Sequence, residues 1–282
     1  MKNFFQKIFS KKNEDIRKVI TFLGIKIKFI SKKQLYKKII RDFNSIIHAQ
    51  NSKINELKNK ILPSCSRYNI QKNNLIYLFS NSSYRLLDED ERINGLEIII
   101  NGYGNEIYLD EKTEFIDSVI NINTNDNKIV IKEIEKAFFN IECFLGDNQT
   151  LYWDSGYGSF RRSNFHLFGE NSSITIGKNC LLSDTTIWTS DCHSLFLNNK
   201  LMNGDANHVK IGDNCWIGSQ TFFTKNASIN NNTIVGARAV ITKAFNECNL
   251  ILAGNPADIV GRDKTWEIYA PEKLKTTGKE IY

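Results

Sequence analysis

The chain has 282 residues, 41% of them hydrophobic, and a formal net charge of +6; this fits one large folded domain or two modest ones and excludes a collagen-like or mostly disordered chain. With only three prolines, Pro63, Pro256 and Pro271, the middle of the chain is no Pro-rich linker. The positive excess lies ahead of residue 62 while acids outnumber bases beyond it, and because that arm carries no recognised reading motif, nucleic-acid binding is not expected.

Residues 1–62 read as a basic helical arm. Its apolar residues Phe4, Phe5, Ile8 and Phe9 leave two readings open, a solvated helix or a peripheral contact with an anionic membrane surface. The run from Val19 to Ile30 is too short to span a bilayer and holds Lys26 and Lys28. No small-residue cleavage site follows it, so a cytoplasmic protein is expected. From Tyr36 to Ile61 apolar residues recur at heptad spacing, Ile40, Ile47, Ile54 and Ile61 in one series and Tyr36, Phe43 and Leu57 in the other, with Gln50 interrupting. This outlines a coiled coil over 36–61, or equally a helix packed on its own domain. Pro63 stops the helix. Six cysteines lie far apart without pairing or metal-type spacing, as expected of reduced thiols.

Residues 63–100 read as a transition segment. Beyond them a repeat begins, in which the pairs Ile107/Leu109, Ile129/Ile131, Leu151/Trp153 and Ile174/Ile176 start 22, 22 and 23 residues apart. Asn105, Asn127, Asn148 and Asn171 precede them, and Asn tolerates the left-handed backbone of tight corners. After residue 210 the period tightens to six: Ile211, Ile217, Phe223, Ile229, Val235 and Ile241 share one register. The small residues Cys215, Thr221, Ala227, Thr233 and Ala239 fall four positions after the first five of them. Six residues make one short strand plus a corner, so three hexads close a three-sided coil that stacks on the next as parallel sheet. The expected fold is mainly β: a parallel β-helix over 101–256, a helical arm before it and a short C-terminal tail over 257–282.

The run VKIGDNCWIGSQTFFTKNASINNNTIVGARAVITKAF, with ILAGNPADIVGR after it, resembles the hexapeptide-repeat acyltransferases, in particular those acetylating galactosides, maltose and surface polysaccharides. The resemblance covers about Ile174 to Arg262 and implies a left-handed hand, acetyl-CoA as co-substrate, no metal, and a homotrimer with sites between subunits. It puts the general base at His193 in TSDCHSLF, 23 residues ahead of Trp216. Asp191 either orients that imidazole or merely closes the coil. Cys192 is the less favoured nucleophile, because neighbours in an extended strand face opposite sides. Also by resemblance, Trp216 walls the site near the thioester or the sugar, Ser219 and Ala237 line the pantetheine channel, and Thr242 and Lys243 meet the nucleotide end of CoA. Arg262 lies one position beyond the family's last CoA-contacting Arg, and Asn164 is the nearest match to its acceptor-binding Asn. Leu197 stands where relatives acting on surface polysaccharides often have Asp.

The function expected is acetyl transfer to a sugar hydroxyl of a bacterial-type surface glycan or its precursor. Three alternatives stay open: an N-acetyltransferase acting on an amino sugar nucleotide, a metal-dependent β-helix enzyme and a non-catalytic solenoid. His166, His193 and His208 show no paired-ligand spacing for zinc.

Overall fold

The computed structural model describes residues 19–22, 25–28, 73–88, 91–203 and 207–269. The chain divides into two units, Met1–Pro63 and Ser64–Tyr282. In the first, Val19–Phe22 and Ile25–Lys28 pair antiparallel, Phe22 opposite Ile25. At these positions a hairpin replaces the expected helix: β-branched Val19, Ile20, Thr21, Ile25 and Ile27 favour extended backbone. The heptads over 36–61 and Pro63 lie outside the described residues.

The second unit is a three-sided parallel solenoid, and the hexapeptide repeat fits a left-handed β-helix. Its first face stacks Leu75–Ser80, Glu106–Asp110, Lys128–Ile131, Thr150–Trp153, Ser173–Ile176, His208–Ile211, Ser228–Ile229 and Ala244–Phe245. Ile107, Ile129, Leu151, Ile174 and Val209 are successive partners, as the 22-residue repeat requires. Coil formation begins ahead of residue 101, at Leu75, whose strand pairs in parallel with Glu106–Asp110.

The chain visits the second face with the first parts of Ile134–Phe144 and Gly156–Phe168, then with Leu181–Leu182, Trp216–Ile217, Ile234–Val235 and Leu250–Gly254. The third face takes Leu96–Ile100, Ser118–Ile122, the later parts of the two long strands, Thr186–Trp188, Phe222–Phe223 and Val240–Ile241. Alternate residues turn inward, so Ile129, Ile141, Phe165, Ile187, Ile217 and Phe223 are fully buried in one continuous core. Each such side chain contributes roughly 1.5–3 kcal/mol.

Corners follow the residue chemistry. Asn148, Asn171, Asn214, Asn226 and Asn232 have φ of 57°, 57°, 54°, 60° and 58°, the left-handed region that Asn tolerates. Asn105 and Asn127 do otherwise and correct the sequence reading. Both are buried, and Asn105 donates to Asn74 Oδ1 (2.9 Å) and Asn127 to Asn105 Oδ1 (2.7 Å), an amide ladder inside the corner. Gly212, which directly follows an inward aliphatic, is needed for close stacking: a Cβ there would lie 2.7 Å from Asn231 N in the next coil. At the two ends of the stack, Ser83–Leu86 and Ala257–Arg262 pair antiparallel with the outermost strands. They cover the open edges of the first and second faces. No helix among the described residues is long and apolar enough to cross a membrane.

Candidate active site

Between Ile174 and Val209 the coil takes 35 residues instead of 22, because a loop leaves the prism where the third face turns to the first. Phe196–Leu197 and Lys200–Leu201 form a small hairpin on it, with Asn198 and Asn199 at φ of 51° and 63°. Two positive φ values in succession define a tight hairpin turn, for which Asn-Asn is well suited. His193 stands at the base of this hairpin and is exposed.

Asn203 pins the loop. Its Nδ2 donates to His193 O and to Asp191 Oδ2, both at 2.8 Å, and its Oδ1 accepts from Leu195 N at 2.8 Å. Asp191 also pairs with Lys225, which stands one coil further along the same corner. The Lys225 ammonium, with help from Asn203, holds the Asp191 carboxyl below the ordinary range against a smaller opposing effect of burial. Among the described residues no hydrogen bond joins Asp191 to the His193 ring. In the single chain Asp191 ties the loop to the next coil through Lys225 and Asn203. Cys192, at φ 60°, has its thiol pushed up by burial and then by Asp191 and Glu142. A raised thiol pKa disfavours the thiolate that a nucleophile needs.

The other candidates fall on different edges. Trp216 points out from the second face, 43% exposed, with the Trp266 ring centroid at 6.1 Å. Trp266 also meets Tyr157 at 5.8 Å and donates Nε1–H to Asn214 O at 2.7 Å. Part of the tail thus lies back over the second face, which sequence reasoning missed. Ser219 and Ala237 stand on the corner between second and third faces, where Arg238 N donates to Ser219 O at 2.8 Å and Ser219 Oγ is 3.0 Å from Ser183 Oγ. Thr242 and Lys243 share the third-to-first corner with the His193 loop, and Lys243 is 3.7 Å from Asp258. Arg262 Nε pairs with Glu247 at 3.0 Å. Asn164 points outward from the third face between Asn140 and Thr186. His193 and the Ser219–Ala237 edge therefore lie on two different corners of one chain.

Among the described residues, no three His, Cys, Asp or Glu side chains converge on a metal site. Lys225, Asn203 and the His166–Glu142 pair escaped the sequence reading. Only the last left a signal, since 24 residues is about one coil of this region.

The second unit is thus a three-sided parallel solenoid with one loop, carrying His193, thrust out of one coil. Residues 208–243 match the family model described as bacterial transferase hexapeptide (six repeats), so this segment carries the repeats of that family. No curated protein matches the sequence. Among solved structures, the chain is similar to the polysialic acid O-acetyltransferase OatWY at 24% identity and a TM-score of 0.49, over 64% of this chain and 98% of that one. For the polySia-specific acetyltransferase NeuO the figures are 21%, 0.47, 65% and 94%. For a maltose O-acetyltransferase from Clostridium difficile 630 they are 22%, 0.31, 50% and 68%.

Proposed function

We propose that the chain is an acetyltransferase that takes its acyl group from acetyl-CoA and places it on a hydroxyl of a sugar in a surface-type glycan or its precursor. One observation carries the reading. The six-residue register runs unbroken from Ile211 to Ile241 through the segment matched as a transferase hexapeptide, and just upstream one long loop presents an exposed imidazole.

Acetyl-CoA, as substrate, supplies an acyl carbon activated by its thioester. His193 takes the proton from the acceptor hydroxyl as its oxygen attacks that carbon, and returns the proton to the sulfur when the C–S bond breaks. Asn203 and the Asp191–Lys225 pair fix the loop that positions the ring. The small Ser219 and Ala237 suit a slender pantetheine arm, Trp216 walls the site beside it, and Thr242 lies near the nucleotide end. Lys243 and Arg262 suit its phosphates, because their surface ion pairs with Asp258 and Glu247 are weak and readily exchanged. Asn164 contributes to acceptor binding.

Since His193 and the channel occupy different corners, the site forms between copies, and a homotrimer closes it with three-fold symmetry. The protein works in the cytoplasm, and its basic arm brings it to membrane-linked glycans.

Purified protein with acetyl-CoA and a sugar panel should release free thiol and give glycan products heavier by one acetyl each. His193→Ala should lower the rate by about 10²–10⁴ while leaving acetyl-CoA binding intact. A variant with undiminished transfer would remove His193 from the mechanism.

A further inference from the structure

The outer side of the third face carries two columns of residues that acyl transfer leaves largely unused. Asn140, Asn164 and Thr186 stand in register on three successive coils, and beside them so do Glu142, His166 and Trp188. Rungs about 4.8 Å apart make this a ledge roughly 10 Å tall.

Its polar groups are held but not spent. His166 Nδ1 lies 3.1 Å from Glu142 Oε2, while Glu142 Oε1 has no partner among the described residues. The side-chain amides of Asn140 and Asn164 are half-buried and likewise make no hydrogen bond among them. Asparagines on the corners are paired instead, Asn148 with Asn171 and Asn214 with Asn232. Trp188 is half-buried and fixed by ring contacts with His166, Phe168 and Phe222 at 5.2, 5.7 and 6.2 Å. Neither column holds a Lys or Arg. At the adjoining corners Lys225 is taken by Asp191 and Arg162 by Asp117 at 2.7 Å, while Arg161 is exposed at the edge of the ledge. Trp188 ends the strand from which the His193 loop departs, which sets the ledge beside that loop.

We propose that this ledge binds an uncharged glycan chain, with Trp188 against the apolar face of one sugar and Glu142, Asn140 and Asn164 taking hydroxyls. A carboxylate only accepts, so Glu142 suits hydroxyl donors and disfavours a sugar carboxylate brought against it, and neither column offers a cation to offset this. The inference rests on the acyl-transfer reading for its choice of a sugar, and it names the acceptor class.

The test takes the full chain and oligosaccharides of two kinds, with binding read by ligand-observed NMR. One kind is uncharged (glucose, galactose and N-acetylglucosamine oligomers) and the other anionic (uronic acid and sialic acid oligomers). At least one uncharged oligomer should bind more tightly than every anionic one. Trp188→Ala should weaken it about tenfold and Trp188→Phe much less. Glu142→Gln should narrow the gap between the two kinds.

Acetyl-CoA affinity, titrated in parallel, should not move. The assignment is overturned if no uncharged oligomer binds, if an anionic one binds more tightly, or if Trp188→Ala binds like the parent. It is overturned equally if Trp188→Ala dissociates the assembly in sedimentation, which would make the ledge a contact between copies. A parent chain that binds acetyl-CoA but no uncharged oligomer sinks the ledge alone. Glycan binding without acetyl-CoA binding sinks the acyltransferase alone.

Discussion

Asp191 shows how a single ion pair organises the candidate site. Its carboxylate ties the start of the histidine loop to Lys225, 34 residues further along the chain, and shares Asn203 with the His193 carbonyl. Lys225 lowers the folded-state pKa of Asp191, so the pair stabilises the loop above the unfolded value of about 3.9 and fails as pH falls through the depressed folded value. Hydrogen exchange over residues 191–203 should therefore stay slow from about pH 8 to pH 5 and quicken below about pH 4. Asp191→Asn should give the fast behaviour at every pH. Equal protection in variant and parent would mean that the loop is held by other contacts. The candidate His193 was legible in the sequence only through the resemblance of the segment around TSDCHSLF to the hexapeptide-repeat acyltransferases. Its anchor was not, because Lys225 sits in a corner position that any soluble residue could occupy and meets Asp191 only once the loop is folded.

Elements were legible where one periodicity served both packing and closure. The six-residue beat required Phe223 to point inward, and the structure seats it between Ile187 and Ile241 with no exposure. Phe223→Ala should accordingly cost about 3–5 kcal/mol, measured as a lower denaturation midpoint in urea. A loss under about 1 kcal/mol would show that the coils rearrange to fill the space. The 22-residue beat gave the stacked strands of the first face equally well. It did not reveal that Ile134–Phe144 and Gly156–Phe168 run across a corner as single strands, since a bent strand and two short ones have the same alternation. Nor did it separate the two uses of asparagine. Asn148 turns a corner while Asn127 builds an interior ladder, a difference fixed by which coil lies above and not by local sequence. Residues 257–262 fell within the expected C-terminal tail because an antiparallel closing strand follows no hexad, yet they pair with Leu250–Gly254.

At the scale of the molecule, the prism forces separation. Residues on different corners of one rigid three-sided coil cannot be brought together without breaking its sheets, and the His193 loop and the Ser219–Ala237 edge are on different corners. In the proposed function a shared site between copies resolves this and makes activity a property of the assembly. The measurement that tests this most directly mixes two inactive variants. His193→Ala lacks the base, and Ala237→Trp fills the channel on the other edge. Co-refolded in equal amounts, the pair should recover about a quarter of the parent's acetyl transfer, since random assembly joins an intact loop to an intact neighbouring edge at that frequency. No recovery from a mixture that forms folded, mixed assemblies would contradict the account.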